Sequence, residues 1–320
     1  MYHIILNPSS RSGRGMKIWL KQIEPILKER GIKYELYMTK GDDKNAPMVQ
    51  EIMSKYDGTE RINLIVLGGD GTVNEVVQAI DDYDKVQLSI IPTGSSNDLA
   101  RDIGISVDPA DALRHLLDEP TSIDMDLGVV HYENSLVRNG NMSIPDRYFM
   151  VSTGIGFDAA VCEEAMHSKL KNALNRCGLG KLTYLSVALK QLIATKYITG
   201  ELILDGDEDN IISLEKLLFV AGMNHRFEGG GFMFGPEADA TDGLIDMCVV
   251  SKLPKPKILR VLPSAFKGKH FAFDGVDSYR ASSYAIRTSE PLWVHTDGEV
   301  KTRADYVSVM LKGGAVHFTY

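Results

Sequence analysis

Leu64-Ile65-Val66-Leu67-Gly68-Gly69-Asp70-Gly71-Thr72-Val73-Asn74-Glu75 decides the fold: an unbroken apolar run ends in a glycine-rich turn that opens a helix. The run does not alternate with polar residues, as expected for a strand of a parallel sheet buried on both faces. Glycine lets backbone N–H groups close on an anion, and a helix start adds partial positive charge, so this turn suits a phosphate. Asp70 can hold a metal or a metal-bound water, while Thr72 and Asn74 can donate to phosphate or ribose. The plainer alternative is a tight strand-to-helix turn with Thr72 as N-cap.

The same strand, turn, helix pattern recurs on either side. Ile90-Ile91-Pro92-Thr93-Gly94-Ser95-Ser96-Asn97-Asp98 follows one apolar run, and Asn7-Pro8-Ser9-Ser10-Arg11-Ser12-Gly13-Arg14-Gly15 follows another. In an open parallel sheet such turns lie at the carboxyl ends of the strands and converge on one crevice. None is a Walker A loop, because no Gly-Lys-Ser or Gly-Lys-Thr occurs. Strands are expected at residues 3–6, 33–38, 63–67 and 88–91. Helices are expected near 16–30, 46–56, 73–81, 97–102 and 109–118, which makes right-handed βαβ units.

Beyond Asp124-Met125-Asp126 the texture changes to alternating strands, expected at 147–153, 199–205, 214–223, 244–250, 281–287 and 305–311. They come mostly without intervening helices, which reads as an antiparallel sheet or sandwich. One helical interruption is expected over 159–197. Gly154-Ile155-Gly156-Phe157-Asp158-Ala159 formally fits the dinucleotide fingerprint, but the acid needed about 20 residues further on is missing.

The 320 residues are 44% hydrophobic and 24% charged, which excludes a disordered, collagenous or disulfide-stapled chain. With 35 bases against 43 acids the net charge is -8, which argues against nucleic acid as a partner. The charge is uneven. Lys169, Lys171, Arg176, Lys181, Lys190 and Lys196 fall in one acid-free stretch, and Lys252, Lys255, Lys257, Arg260, Lys267 and Lys269 in another. Cys162, Cys177 and Cys248 have no paired spacing, so reduced thiols are expected. The apolar run of residues 1–6 is too short for a signal peptide, and none reaches the roughly 18 residues of a membrane span, so a cytoplasmic protein is expected.

Gly68–Glu75 and Pro92–Asp98 together resemble the bacterial diacylglycerol kinase family, with sphingosine and ceramide kinases among its relatives. The likeness extends to Glu228-Gly229-Gly230-Gly231, to Pro236-Glu237-Ala238-Asp239-Ala240-Thr241-Asp242-Gly243-Leu244 and to Asp297-Gly298-Glu299. It implies a phosphofructokinase/NAD-kinase-like α/β domain with a Rossmann-like parallel sheet, at 1–125 plus a returning segment at 303–320. A β-sandwich lipid and metal domain at 126–302 would follow. ATP would lie on Asn7, Thr39, Gly68, Gly69, Asp70, Gly71, Thr72, Asn74, Glu75, Thr93, Gly94, Asn97 and Asp98. The resemblance places Mg2+ on the Asp242 carboxylate and the carbonyls of Asp239 and Leu244, with Asp126 reaching it through water. Asp297 would be the base, with Glu299 beside it and Asp70 in the catalytic set. The extra serine in Thr93-Gly94-Ser95-Ser96-Asn97-Asp98 departs from the Thr-Gly-Asn-Asp of many members.

Phosphoryl transfer to an alcohol needs positioning, neutralised phosphate charge and a carboxylate to take the proton. Asp70, Asp98, Asp126, Asp242 and Asp297 supply oxygen donors suited to magnesium, although residues 239–243, read without the resemblance, favour a plain hairpin turn. His295 reads as a strand residue more than as a second base. The expected activity is phosphorylation of a lipid, diacylglycerol first, at an anionic membrane surface on its cytoplasmic side. The alternatives are a soluble-substrate kinase resembling NAD kinases and a non-catalytic nucleotide sensor. The resemblance also allows a homodimer. The two basic stretches, with Leu253, Ile258, Leu259, Val261 and Phe266, suit interfacial docking or else are solvated helix faces over a core.

Overall fold

The computed structural model describes residues 1–40, 45–133, 145–167 and 190–320. Two compact units emerge, Met1–Leu127 with Lys312–Tyr320, and Gly128–Leu311. The expected helix over 159–197 is described at Phe157–His167 and at residues 190–194. Lys169, Lys171, Arg176, Lys181 and Cys177 lie outside the described residues.

The first unit is built on β1 (Tyr2–Leu6), β2 (Tyr34–Met38), β3 (Ile62–Gly68) and β4 (Val86–Pro92), all parallel, in the order β2-β1-β3-β4. β3 and β4 are buried along nearly their whole length, which is why their sequences are continuous Val/Ile/Leu runs. Helices cover the sheet: α1 (Ser10–Gly13), α2 (Gly15–Ile18), a π turn at Trp19–Ile23, α3 (Glu24–Glu29), α4 (Ala46–Met53), α5 (Asp70–Ala79), α6 (Asp98–Asp102) and α7 (Pro109–Asp118). Strand order reverses between β1 and β3, and the turns after these strands flank that switch point, the usual ligand position of an open parallel sheet.

Two strands, β5 (Ser122–Glu133) and β14 (Glu299–Thr319), run through both units. The end of β14 lies parallel to β4, with Phe318 opposite Leu88, and Thr121 and Tyr320 exchange backbone hydrogen bonds. The segment that belongs to the first unit starts at Lys312, because residues 303–310 are still paired with β13 (Ser283–Thr296).

The second unit is antiparallel. Its further strands are β6 (Arg147–Phe149), β7 (Ser152–Gly156), β8 (Ile198–Leu204), β9 (Ile212–Leu217), β10 (Phe219–Met223), β11 (Ile245–Val250) and β12 (Val276–Ala281). One ladder runs β12-β11-β10-β7-β13-β14. An irregularity between Arg287 and Leu292 lets β13 pair with β8 before it and with β7 after it, so one strand serves two layers. Between the layers lies a core that includes Phe149, Leu202, Val220, Ile286 and Val307. The outer face of β10 and β11 is covered by α8 (Phe157–His167) and α9 (Lys255–Ala265) through Phe157, Ile258 and Val261, with Phe234 from the segment after β10 in the same cluster.

α9 is a helix added to a second half that is mostly antiparallel strands, as expected. Pro254 and Pro256 sit before and at its first turn, where proline is tolerated. It also divides the apolar members of the second basic stretch. Leu253, Ile258 and Val261 are core, and only Leu259 and Phe266 are exposed. Lys255 is committed to the carbonyls of Ile193 and Thr195. No helix among the described residues is long and apolar enough to cross a membrane.

The turns after β3 and β4 touch backbone to backbone. A Cβ on Gly94 would stand 2.5 Å from Gly69 Cα and 2.6 Å from Asn97 Oδ1. Gly94→Ala is therefore expected to cost about 1–3 kcal/mol in urea unfolding, the usual range for forced overpacking.

Candidate active site

In the first unit the three turns are tied together by side chains. Asn7 Nδ2 donates to Thr72 Oγ1 at 2.9 Å, and the buried hydroxyls of Ser10 and Thr93 are 2.9 Å apart. Thr93 N–H reaches Gly68 O at 2.8 Å, carrying the β3–β4 ladder into the turns. The N-cap of α5 is Gly69 in extended conformation, not Thr72, whose N–H instead donates to Gly69 O. Asn97 adopts φ +52, which its short amide side chain tolerates. That amide accepts from Gly94 N–H and donates to Gly94 O, which is how the longer turn with its extra serine closes.

Asp70 crosses from one turn to the next, its carboxylate accepting the N–H groups of Asp98 at 3.0 Å and Leu99 at 3.3 Å. Asp98, nearly fully buried, pairs with Arg101. Glu75 accepts from Asn45, whose Oδ1 takes Lys40 N–H. Thr39 follows β2 with its N–H on Leu6 O. Asn7, Thr39, Gly68–Asn74 and Thr93–Asp98 thus belong to one edge of one sheet. Asp126 lies elsewhere in this unit, with Oδ1 accepting Gly314 N–H at 2.7 Å.

In the second unit, Asp297 and Gly298 are the two central residues of the β13–β14 hairpin, at φ +50 and +81, as an Asp-Gly pair in a type I′ turn requires. The Asp297 carboxylate accepts three backbone N–H groups, from Met150 at 3.0 Å, Val151 at 2.8 Å and Ser152 at 3.1 Å. Its own N–H donates to Ser152 O. The side chain has one orientation, set by the segment joining β6 to β7. Glu299 follows at the start of β14.

Asp239 and Asp242 form a second acidic turn, with Gly243 at φ +74. Asp239 Oδ1 accepts from Thr241, and Asp242 Oδ1 from Leu244 N–H at 2.9 Å, while Asp242 also pairs with Arg280. Asp246 Oδ2, buried and without a hydrogen bond, stands 3.3 Å from Arg280 Nε. Burial raises the Asp246 carboxyl above the usual carboxylate range, despite Arg280. The turn offers only hard oxygen donors, and one guanidinium faces several carboxylates, so it suits a hard divalent cation.

A cluster that sequence reasoning had not assembled lies beside Asp297. His295 Nε2 is 2.7 Å from Asp158 Oδ2 and 3.7 Å from Glu228 Oε1, and Cys162 lies one helical turn beyond Asp158. Asp158, Cys162 and His295 bring their ligand atoms within 4.8 Å of one another. Burial, and then the Asp158 charge, push the Glu228 carboxyl up to about 8. On His295, burial disfavours a positive ring, but the Asp158 and Glu228 carboxylates outweigh it and raise its pKa. The overlooked signal was Gly154. A Cβ there would fall 2.0 Å from Asp158 Oδ2 and 2.4 Å from His295 Nε2. The Gly-x-Gly that mimics a dinucleotide fingerprint makes room for this ion pair.

An α/β unit with gathered phosphate-type turns, followed by an antiparallel unit with an acid-bearing hairpin, defines a phosphotransferase of the phosphofructokinase/NAD-kinase-like class. Residues 1–130 match the diacylglycerol kinase catalytic domain, and residues 150–316 match the YegS C-terminal NAD kinase beta sandwich-like domain. YtlR of Bacillus subtilis (strain 168), named a candidate lipid kinase, is 29% identical over 301 residues, 93% of each chain. The diacylglycerol kinase of Mycobacterium tuberculosis (strain ATCC 25618 / H37Rv) is 28% identical over 296 residues, 92% of this chain and 87% of that one. The crystal structure of a candidate diacylglycerol kinase from Bacillus anthracis str. Sterne superposes with a TM-score of 0.73 at 23% identity, covering 99% of this chain and 94% of that one. The chain belongs to the bacterial diacylglycerol kinase family of lipid kinases. It is a kinase that transfers phosphate to an alcohol, and the family implies use of a nucleotide.

Glu228 gives a pH dependence. Its folded pKa of about 8 exceeds the usual 4.5, so between these values the folded chain holds a proton that the unfolded chain has released. The stabilisation is full at the acid end and is lost as pH rises through about 8. Glu228→Gln, permanently neutral, is expected to match the parent at the acid end of that window and exceed it at the alkaline end in thermal unfolding. Parallel curves would refute the assignment.

Proposed function

We propose that the phosphate donor is ATP and the acceptor the hydroxyl of diacylglycerol, giving phosphatidate, with Mg2+ as the cation. The substrate would be met at an anionic membrane surface on its cytoplasmic side. The observation that carries this reading is the gathering of the three glycine/serine turns at one sheet edge, joined by Asn7–Thr72, Ser10–Thr93 and Thr93–Gly68 hydrogen bonds. Backbone N–H groups held this rigidly bind a polyphosphate without reorganising, and positioning is most of what phosphoryl transfer asks of a protein.

In this mechanism Gly68–Asn74 and Thr93–Asp98 hold the phosphates, with Asn7, Thr39 and Glu75 at the margins of the nucleotide. Asp70 acts by fixing one turn against the next. The lipid oxygen bonds to the γ-phosphorus, the bond to the β,γ-bridging oxygen breaks, and the Asp297 carboxylate takes the hydroxyl proton, with Glu299 alongside. Asp242, with the carbonyls of Asp239 and Leu244, would hold Mg2+, and Asp126 would act on it through water. When bound, the cation neutralises negative charge.

Incubation with labelled ATP, Mg2+ and a panel of diacylglycerol, sphingoid base, ceramide, undecaprenol and NAD tests the reading. Label is expected in phosphatidate, and label confined to the NAD product would refute it. Asp297→Asn should lower turnover about 10²- to 10⁴-fold with an unchanged unfolding midpoint, and Asp70→Ala should abolish it. Asp242→Ala should move the Mg2+ titration of activity to higher concentration; an unmoved titration removes Asp242 from the cation site.

A further inference from the structure

His295 is buried directly behind the Asp297-Gly298 turn, and both of its ring nitrogens are committed. Gly298 N–H donates to Nδ1 at 3.1 Å, and Nε2 lies 2.7 Å from Asp158 Oδ2. Asp158, Cys162, His295 and the nearby Glu228 could be read as a donor set for a transition metal. The hydrogen bond to Nδ1 argues against that. A metal on Nε2 would place the ring proton on Nδ1, facing the N–H of Gly298. The contacts require the opposite tautomer, with Nδ1 bare and Nε2–H donated to Asp158.

We propose that His295 is a positioning residue for the reaction, holding the Asp297-Gly298 turn through Nδ1 in a tautomer that Asp158 selects. This rests on the reading of Asp297 as the acceptor of the hydroxyl proton. An Asp-Gly pair accepts the left-handed backbone of this turn, Asp297 at φ +50, and what remains to be fixed is where the turn is held. The chain from Gly298 N–H through the imidazole to the Asp158 carboxylate fixes the residue after Asp297, while Met150, Val151 and Ser152 fix its carboxylate. Gly154 is the opening that admits the pair.

The arrangement is sensitive to protons. Asp158 and Cys162 face the ring from α8, Glu228 from the segment after β10, and Asp297 from the same hairpin. Cys248 on β11 faces Asp158 and Glu228, and its thiol is held far up by burial. Burial disfavours a positive ring, but the Asp158 and Glu228 carboxylates outweigh it and raise the His295 pKa to about 9, so the second proton on Nδ1 leaves as pH rises through that value. With that proton present the acceptor becomes a donor, the Gly298 bond is lost, and the turn loosens.

The test is steady-state phosphorylation of diacylglycerol in anionic vesicles by the full chain, across pH, for the parent, His295→Gln and His295→Asn. Gln places its amide near Nε2 and abandons Gly298; Asn places its oxygen near Nδ1. His295→Gln is expected to lower kcat about 10- to 100-fold with KM for ATP unchanged. His295→Asn should recover most of the rate and lose the acid limb of the pH profile. Equal losses in both variants, or parent-like rates in both while Asp297→Asn is inactive, would overturn the proposal. Full activity of Asp297→Asn would instead overturn the reading beneath it. A measurement on the parent alone guards against misfolded variants. Protection of the Gly298 amide from exchange should fall about 10-fold through the acid limb, and constant protection would overturn the proposal.

Discussion

The contact between the backbones of Gly69 and Gly94 is the constraint on which the first unit depends. A side chain at either position would overlap the other turn. Only with both turns this close can Thr93 N–H meet Gly68 O, and only then does the Asp70 carboxylate reach the N–H groups of Asp98 and Leu99. Each such hydrogen bond contributes roughly 1 kcal/mol net, so their weight lies in alignment more than in stability. A phosphate-binding edge must already have its N–H groups aimed when the anion arrives.

The second unit applies the same logic to a carboxylate. Asp297 is aimed by three N–H groups from the segment between β6 and β7 and carried by a hairpin whose conformation an Asp-Gly pair satisfies. Behind it, the buried Glu228 and His295 and the half-buried Asp158 are tolerable because they share protons and charge. A lone buried carboxylate would be far costlier. Asp242, Asp246 and Arg280 make a second such balance in the turn offered to a cation.

Strand periodicity was legible where burial is uniform. β1, β3 and β4 follow directly from their buried apolar runs, β2 from its β-favouring tyrosines in a half-buried strand, and the helices at 46–53, 98–102 and 109–118 from their turn residues. β12 was not legible, and α9 only as one of two readings of the second basic stretch. β12 mixes one tyrosine with exposed polar residues, and α9 carries three prolines in and around it, so its helical period is masked by residues that usually break helices. The second basic stretch looked amphipathic as a string, yet its apolar members divide between core and solvent, a division that packing makes.

The sequence by itself determined the class of the protein, because glycine-rich turns after buried strands, and an acid at the tip of a hairpin, are local patterns that local physics reads. Only the tertiary structure decided what each carboxylate touches. Asp70, open to a metal when read alone, accepts the N–H groups of another turn, and His295, read as a strand residue, proves to join Asp158, 137 positions away, to the Gly298 amide. Such contacts run between segments far apart in the chain. Their distances are set by how sheets and helices close around a core, which no local spacing of residues encodes.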